Sequence, residues 1–394
     1  MIIQSILDTD LYKLTMQNFV LRQYPEAIAS YKFYDRNNNI KIDNKTFNLI
    51  KDEIKGMKSL KLTDTEYDWV KEKIYFFDPM YRQYLSSFRY NPNLVNLSLD
   101  KATGKLDITV EGKWREAIMW EVPLMSIISE LYFREIDRDW EDDEKKQINQ
   151  IIRKAKLLSD NGCRFADFGT RRRRNFKTQQ LVVNEMQQYD NFMGSSNILL
   201  SMQNNTTPIG TQGHEIIQAV SVLEGLRHAN RFTMQKWQDV FHADLGIMLT
   251  DTFGFNAFLN DFSLPYAKMW DGVRHDSGCP FAFTDKIIEH YKKLKIDPIT
   301  KTIVFSDGLT AEKAVQIKNY CEGDIKCSFG IGTNFTSDFL KTDGTKSNPL
   351  NIVIKLDKID GIPVVKLSDT PTKAVGNEMA KKVAMWTFFG EKIK

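Results

Sequence analysis

The sequence predicts an α/β protein in which an irregular (β/α) barrel carries an N-terminal α+β sandwich-like domain. Short apolar runs alternate with helical segments after residue 162, and no such rhythm occurs before about residue 135. The length of 394 residues exceeds the usual size of a single core, which favours two structural units. Repeated strand–helix units over this length favour a barrel over an open doubly wound sheet.

Residues 1–135 form the predicted N-terminal α+β domain. This part is rich in aromatic residues and mixes short alternating stretches with helical ones. Residues 105–110, KLDITV, alternate polar and apolar side chains as a half-buried strand does. The last part, about residues 350–394, is predicted to return to this domain. Residues 351–356 and 362–367 in it are typical of two strands joined by a turn that contains Gly361.

Residues 136–350 form the predicted barrel. A polar helix is expected over about residues 141–160, because it starts with acidic residues that suit the helix dipole and stops at Asn161-Gly162. Short apolar runs that end in polar or glycine-containing residues are the predicted barrel strands, around 164–166, 198–200, 247–249, 267–270, 302–305 and 325–329. Catalytic residues of such barrels lie at the carboxyl ends of strands. Residues 341–349 are predicted to be a loop.

The composition excludes several classes of protein. Hydrophobic residues at 42% and charged residues at 27% are typical of a soluble globular protein. A net charge of +3 is too small for a nucleic-acid coat, so no nucleic-acid partner is expected. Neither a membrane-spanning apolar run nor a signal peptide is recognisable, which favours a cytoplasmic protein without a membrane partner. The widely spaced cysteines indicate reduced, buried thiols rather than a zinc site, namely Cys163, Cys279, Cys321 and Cys327.

An arginine-rich segment follows the first predicted barrel strand. Asp167-Phe168-Gly169-Thr170 leads into four arginines at residues 171–174. Adjacent guanidinium groups repel one another unless anions or acids compensate them, so a solvated basic face is the less favoured interpretation. The Phe168 ring can stack on a flat ring, and an arginine can bind a carboxylate or phosphate. The segment therefore predicts a site for an aromatic acid, with residues 172–174 lining it in roles that the sequence does not separate.

Two further clusters have the residues that phosphate chemistry needs. Glycines lead into a helix that starts at His214, where anion binding beside the imidazole and a structural histidine are equally supported. In residues 270–278, WDGVRHDSG, Arg274 suits phosphate, and Asp276 suits a magnesium ion or ribose hydroxyls. Asp251 is a similar acid after another predicted strand, and a mixed-charge turn is the alternative interpretation for residues 270–278.

Small residues follow the last two predicted strands. The segments SDG at 306–308 and GIGTN at 330–334 can bind phosphate through backbone N–H groups. Neither a complete dinucleotide-binding fingerprint nor a P-loop pattern occurs in the chain, which excludes Rossmann and Walker sites. A monophosphate site remains.

Taken in order, these clusters resemble the nicotinate phosphoribosyltransferase family over nearly the whole chain. The most specific pieces are Asp10-x-Tyr12-Lys13 and residues 167–171, 210–215 and 274–278. The resemblance implies transfer of a phosphoribosyl group from phosphoribosyl pyrophosphate to nicotinate, in NAD biosynthesis. ATP hydrolysis would be coupled to this transfer through a phosphohistidine, and Mg²⁺ would be required. It also implies a homodimer with shared active sites, in which Tyr12 acts across the interface.

The resemblance also implies individual roles. Phe168 and Tyr12 would sandwich the pyridine ring, Arg171 would bind near its carboxylate, and Thr211 would contact substrate. His214 would be phosphorylated by ATP. Arg274 and Asp276 would hold the ribose and pyrophosphate, with Asp276 and Asp251 as Mg²⁺ ligands. The 5-phosphate would lie on the remaining small residues, namely Ser306, Asp307, Gly308, Gly330, Gly332 and Thr333.

Nicotinamide phosphoribosyltransferase is the alternative. Residues 194–197, GSSN, are placed at the pocket for the pyridine substituent and offer no carboxylate to select an amide, while the arginines favour an acid. Quinolinate is less favoured because its enzymes are shorter chains and must also decarboxylate it. A non-catalytic nucleic-acid binder that uses residues 171–174 is disfavoured by the low net charge.

Overall fold

The computed structural model describes residues 1–390, which fold around two main sheets. Its strands, in chain order, are β1 (Ile28–Asp35), β2 (Val95–Asp100), β3 (Lys105–Lys113), β4 (Phe165–Asp167), β5 (Phe192–Ser195), β6 (Ile247–Leu249), β7 (Gly272–His275), β8 (Thr302–Phe305), β9 (Lys326–Ile331), β10 (Phe339–Leu340), β11 (Lys346–Ser347), β12 (Ile352–Ile359) and β13 (Ile362–Pro363).

Helices pack around both sheets, and several begin at residues whose side chains cap them. Asp143 starts the polar helix predicted over 141–160 by accepting a hydrogen bond from Lys146 N, as N-cap acids do. The α-helices are α1 (Leu11–Gln23), α2 (Asn44–Gly56), α3 (Asp64–Lys73), α4 (Pro79–Ser87), α5 (Trp114–Ala117), α6 (Glu121–Glu135), α7 (Glu144–Asp160), α8 (Phe176–Met186), α9 (Ile198–Gln203), α10 (His214–Leu223), α11 (Ala229–Phe241), α12 (Phe255–Asp261), α13 (Leu264–Met269), α14 (Pro280–Lys293), α15 (Ala311–Cys321), α16 (Thr333–Thr336) and α17 (Glu378–Phe389).

The first sheet is antiparallel, with the order β13-β12-β1-β3-β2. The predicted strand at 105–110 is β3, whose side chains alternate between exposed and buried as its sequence pattern requires. The C-terminal strand β12 pairs with β1, with Phe33 opposite Ile354. This pairing brings the C-terminal segment back to the N-terminal sheet. The second strand of the predicted hairpin is shorter than expected, because β13 has only two residues.

The second sheet has six parallel strands in the order β5-β4-β9-β8-β7-β6. Strand β4 pairs with both β5 and the last strand β9, while β5 and β6 form the two edges. The mixed α/β class is therefore confirmed. Pairing of β4 with β9 joins the first and last strands of this sheet in the chain, which is the strand order of a barrel with a gap between β5 and β6. A closed barrel remains a prediction.

Two of the predicted barrel strands were wrong. Residues 198–200 begin helix α9, because Asn197 Oδ1 accepts from Leu200 N at 3.0 Å and caps it. Residues 267–270 form the end of α13 and its cap. The true strands, β5 and β7, each contain a glycine whose added Cβ would lie 1.9 Å from a neighbouring carbonyl oxygen. The prediction required a run of apolar residues, but each of these strands contains a glycine that allows another backbone to approach closely.

The strands predicted around 164–166, 247–249, 302–305 and 325–329 are confirmed as β4, β6, β8 and β9. Helix 141–160 is confirmed as α7. Of the helices in residues 1–390, none combines the length and apolarity needed to cross a bilayer. The four cysteines carry free thiols as expected, but only Cys163 and Cys321 are fully buried.

Candidate active site

Two adjoining cavities open where the parallel strands end. The larger has a volume of about 290 Å³ and the smaller about 100 Å³. Tyr12, Arg171 and Arg274 line both, so these three side chains form the boundary between the cavities. Strand β12 of the antiparallel sheet faces the larger cavity through residues 353–356. The site thus lies between the two sheets.

The smaller cavity brings together the three residues that the resemblance assigned to the pyridine and Thr211, which it assigned to substrate contact. Tyr12, Phe168, Arg171 and Thr211 all line it, and the Arg171 guanidinium carbon lies 5.7 Å from the centre of the Tyr12 ring. Apolar walls together with the side chains of Arg171 and Arg274 suit one flat anionic ring. Tyr12 belongs to the same chain as the rest of the cavity. The expectation that Tyr12 reaches the site across a subunit interface is therefore wrong.

An acid also lines the smaller cavity, although residues 194–197 contain none. Asp10 Oδ1 accepts a hydrogen bond from Ser196 Oγ at 2.6 Å, and Asp10 Oδ2 lies 3.8 Å from Arg171 Nε. The Asp10 carboxylate is thus held by a hydroxyl and faced by a guanidinium. Sequence reasoning placed no acid here because Asp10 lies far from this segment in the chain.

The larger cavity contains the predicted phosphate-handling groups around His214. His214 Nε2 lies 2.6 Å from Asp251 Oδ1 and 2.7 Å from Lys366 Nζ. Arg274 donates from Nε to Ser306 Oγ at 2.8 Å and from Nη2 to Asp276 Oδ1 at 3.3 Å. Asp307 and Gly308 line the same cavity. These predicted residues from separate strands therefore meet as expected.

Burial and neighbouring charges set the protonation of this cluster. Burial lowers the pKa of His214, an effect that Asp251 opposes and the charge of Lys366 strengthens, and this lowering favours the neutral imidazole. Burial alone would raise the pKa of Asp251, but His214 and Lys366 outweigh it and hold that pKa well below its usual range. A neutral imidazole has a ring nitrogen with a free lone pair, which a nucleophile needs.

Cations from outside the parallel sheet line the larger cavity, and sequence reasoning missed them. They come from the end of β1, from β12 and from the segment after β13, namely Arg36, Lys355, Lys366 and Lys373. Burial, followed by the charge of Arg36, lowers the pKa of Lys355 to about 7. Lys366 is only 4% exposed and lies in an otherwise apolar stretch of sequence. A single lysine in such a stretch is the sequence feature that could have indicated a buried functional cation. Together these groups suit a polyphosphate.

The four arginines of residues 171–174 serve different purposes. Arg172 lines only the larger cavity. Arg173 donates two hydrogen bonds to the Asp8 carboxylate, at 2.7 and 2.9 Å, with both side chains fully buried. Arg174 lies 3.6 Å above the Phe133 ring and donates to Ser347. The expectation that all of residues 172–174 line an anion site is therefore wrong for Arg173 and Arg174, which hold the fold together.

Gly330, Gly332 and Thr333 are not among the residues that line either cavity. A Cβ at Gly330 would lie 2.2 Å from Phe168 Cε2, and one at Gly332 would lie 3.0 Å from Phe168 O. Thr333 starts α16 directly after them. These glycines therefore let the Phe168 segment pack against β9, and their predicted contact with the 5-phosphate stays a prediction.

Gly330→Ala is expected to displace the Phe168 ring, because the added Cβ would lie 2.2 Å from Phe168 Cε2. A displaced ring stacks less well on the pyridine, so KM for the pyridine should rise about tenfold. KM for a phosphorylated substrate in the larger cavity should change little. Steady-state kinetics with each substrate varied in turn measures both. Gly56→Ala is the control, since Gly56 lies in α2 with only the flexible Met1 side chain nearby. A pyridine KM unchanged by Gly330→Ala would contradict this role.

His214, Asp251 and Asp276 form the one group in residues 1–390 with metal-ligand spacing, their ligand atoms lying within 4.8 Å of one another. Asp251 does not fit a resident Mg²⁺, however. Its oxygens already contact His214, Ser277 at 2.7 Å and Lys366 Nζ at 2.9 Å, so a lysine ammonium stands where the cation would bind. Asp276 remains the candidate carboxylate, and Mg²⁺ typically binds one or two carboxylates together with substrate phosphates.

The fold and the site define a protein with a binding site for anionic ligands at the carboxyl ends of parallel strands. Comparison with known proteins identifies it more closely. The nicotinate phosphoribosyltransferase (NAPRTase) N-terminal domain profile matches residues 7–129, and the NAPRTase family profile matches residues 163–392. The chain belongs to the nicotinate phosphoribosyltransferase family.

Individual relatives resemble the chain over nearly its whole length. The nicotinate phosphoribosyltransferase of Methanosarcina mazei is 46% identical, with 97% of each chain covered. A probable nicotinate phosphoribosyltransferase of Schizosaccharomyces pombe is 37% identical over 95% of each chain. The crystal structure of the Porphyromonas gingivalis nicotinate phosphoribosyltransferase is 36% identical, has a TM-score of 0.94, and covers 98% of this chain and 100% of its own.

Proposed function

We propose that the chain transfers the phosphoribosyl group of phosphoribosyl pyrophosphate to the ring nitrogen of nicotinate, releasing pyrophosphate and forming nicotinate mononucleotide for NAD biosynthesis. One observation carries this proposal: Arg171 and Tyr12 separate a small apolar cavity from a larger cationic one. The small cavity suits a pyridine acid, and the larger one suits a sugar with phosphates. The two reactants would meet at the boundary, as a bimolecular transfer requires.

The larger cavity has the groups that this displacement needs. Displacement at an anomeric carbon passes through an oxocarbenium-like state, in which negative charge builds up on the leaving pyrophosphate. Arg274, Arg36 and Lys373 line the cavity and would stabilise that charge. Asp276, held by Ser306 at 2.9 Å, would orient the ribose hydroxyls. Mg²⁺, bound with the substrate pyrophosphate and Asp276, would add charge neutralisation.

ATP would phosphorylate His214 in the same cavity. The terminal phosphoryl group of ATP would pass to a ring nitrogen with ADP as the leaving group, and water would later release phosphate. Because Nε2 already contacts Asp251 and Lys366, we assign the nucleophilic role to Nδ1. The lowered pKa of the partly buried imidazole supports this role, because it favours the neutral form.

The assembly and location follow from the resemblance and from the thiols. A homodimer is proposed, although Tyr12 is not contributed by the partner subunit. The four free cysteines are typical of a reducing compartment, which supports a cytoplasmic location. Sedimentation at micromolar concentration distinguishes a dimer from a monomer.

Purified chain incubated with nicotinate, phosphoribosyl pyrophosphate, Mg²⁺ and ATP is expected to release pyrophosphate and nicotinate mononucleotide in equal amounts. Both products can be quantified by chromatography. Their absence at enzyme concentrations that bind nicotinate would rule out the proposed transfer.

His214→Ala is expected to lose ATP hydrolysis and ATP stimulation but to keep slow transfer, since the residues around the pyridine remain. ADP release and mononucleotide formation, measured with and without ATP, check this expectation. His228→Ala is the matched control, because His228 is partly exposed beside Asp261 and lies outside both cavities. ATP hydrolysis that persists in His214→Ala would refute the phosphohistidine.

A further inference from the structure

Three buried charged side chains form a cluster beside the larger cavity, which Glu121 and Glu215 line, and the transfer chemistry above assigns no role to them. Lys13 Nζ lies 2.5 Å from Glu121 Oε2 and 3.0 Å from Glu215 Oε2. Lys13 is fully buried, and the two glutamates are less than 10% exposed. A buried lysine shared by two carboxylates is costly to desolvate, so its retention calls for a structural or functional reason.

At one end of this cluster, Glu121 holds two of the three side chains that form the boundary between the cavities. Glu121 Oε1 accepts from Arg171 Nη1 at 3.3 Å, and Glu121 Oε2 accepts from the Tyr12 hydroxyl at 3.2 Å. The positions of the pyridine-facing guanidinium and ring therefore depend on where the Glu121 carboxylate lies.

At the other end, Glu215 follows His214 directly in the first turn of α10. The contact between Glu215 and Lys13 ties the start of this helix to α1, which also carries Tyr12. A change at His214 that shifts the first turn of α10 would move Glu215. It would thereby alter how Lys13 is shared between the two glutamates.

The charges of the cluster explain how a movement of Glu215 would affect Arg171. Lys13 and Arg171 are the cations that contact Glu121, and Glu215 contacts only the first of them. If Glu215 withdraws, Lys13 is left to Glu121 alone, which then binds Arg171 less strongly and leaves its guanidinium freer for an anionic ligand. The two ion pairs of Lys13 are buried and little screened by solvent, and Glu121 passes the effect on to the partly exposed Arg171.

We propose that Lys13, Glu121 and Glu215 are positioning residues that couple the state of His214 to nicotinate binding. The contiguous contacts from the His214 helix turn to Arg171 carry this inference. It rests on the proposed function, because the change at His214 is its phosphorylation by ATP. Thermodynamic coupling is reciprocal, so nicotinate must also change the affinity of the His214 site for ATP.

The test compares the KM of nicotinate with and without ATP in wild type, Glu121→Gln and Glu215→Gln. Glutamine keeps the shape of the side chain and removes its charge. In wild type we expect ATP to lower this KM on the order of fivefold or more, and in both variants less than about twofold. The effect of nicotinate on the KM of ATP for hydrolysis should be lost in parallel. A merely structural role would not remove both effects together.

Glu224→Gln is the matched control, because Glu224 is the C-cap of the same helix and its carboxylate contacts Tyr24 and Lys236 near the surface, away from Lys13. It should retain the ATP effect. Thermal unfolding identifies a variant that fails to fold, and the other variant then decides the question. ATP effects of wild-type size in a folded Glu121→Gln or Glu215→Gln would overturn the coupling. Wild type that forms mononucleotide without any ATP effect would also overturn it, whereas wild type that forms none would overturn the proposed function itself.

Discussion

Arg171→Gln is expected to lower kcat/KM for nicotinate by roughly two orders of magnitude or more, because it removes the cation that faces an anionic ligand in a desolvated cavity. The guanidinium contacts Glu121 and faces Asp10, so it also offsets two nearby carboxylates that would otherwise repel the nicotinate carboxylate. Steady-state kinetics with nicotinate and nicotinamide measures the effect. The loss should be much larger for the acid than for the amide.

Arg172→Gln is the matched control for this prediction. Arg172 is the next residue and lines the larger cavity only. Its loss should weaken binding of phosphoribosyl pyrophosphate or ATP while the preference for nicotinate over nicotinamide stays the same. Equal losses for acid and amide in Arg171→Gln would show that Arg171 does not read the carboxylate.

Arg173→Met is expected to destabilise the folded chain by about 3–5 kcal/mol, the usual cost of leaving one partner of a buried ion pair uncompensated. The Asp8 carboxylate would keep its hydrogen bond from Asn197 Nδ2 at 2.8 Å but lose its charged partner. Equilibrium unfolding in urea measures the change in the free energy of unfolding. Arg153→Met is the control, since Arg153 is exposed and 3.5 Å from Glu312, and it should cost less than about 1 kcal/mol. A loss below about 1 kcal/mol in Arg173→Met would contradict a structural role for this arginine.

The sequence predicted those parts of the fold that have a strong local pattern. The alternation in β3 and the N-cap and acidic start of α7 depend on neighbouring residues, and both elements appeared where expected. β5 and β7 were missed because Gly194 and Gly272 lie where backbones from elsewhere in the chain approach. Such close approach is set by tertiary contacts and leaves no periodic signal in the strand itself.

For the candidate site too, the sequence predicted some residues and missed others. The sequence could predict that Arg274 and Ser306 lie close together, because both follow or end parallel strands whose carboxyl ends meet at one edge of the sheet. The cations Arg36 and Lys355 could not, since they enter from β1 and β12 of the other sheet. The roles of the four consecutive arginines were equally hidden. Arg173 and Arg174 find partners at Asp8 and Ser347, both distant in sequence.

The preference between pyridines tests the central claim most directly, namely that Arg171 and the smaller cavity select an anionic ring for phosphoribosyl transfer. Pyrophosphate release should be measured with nicotinate, nicotinamide and quinolinate, each with and without ATP. We expect kcat/KM for nicotinate to exceed that for the other two by at least about a hundredfold, the difference that a desolvated charge pair provides. Turnover of nicotinamide at a rate equal to or above that of nicotinate would contradict the account.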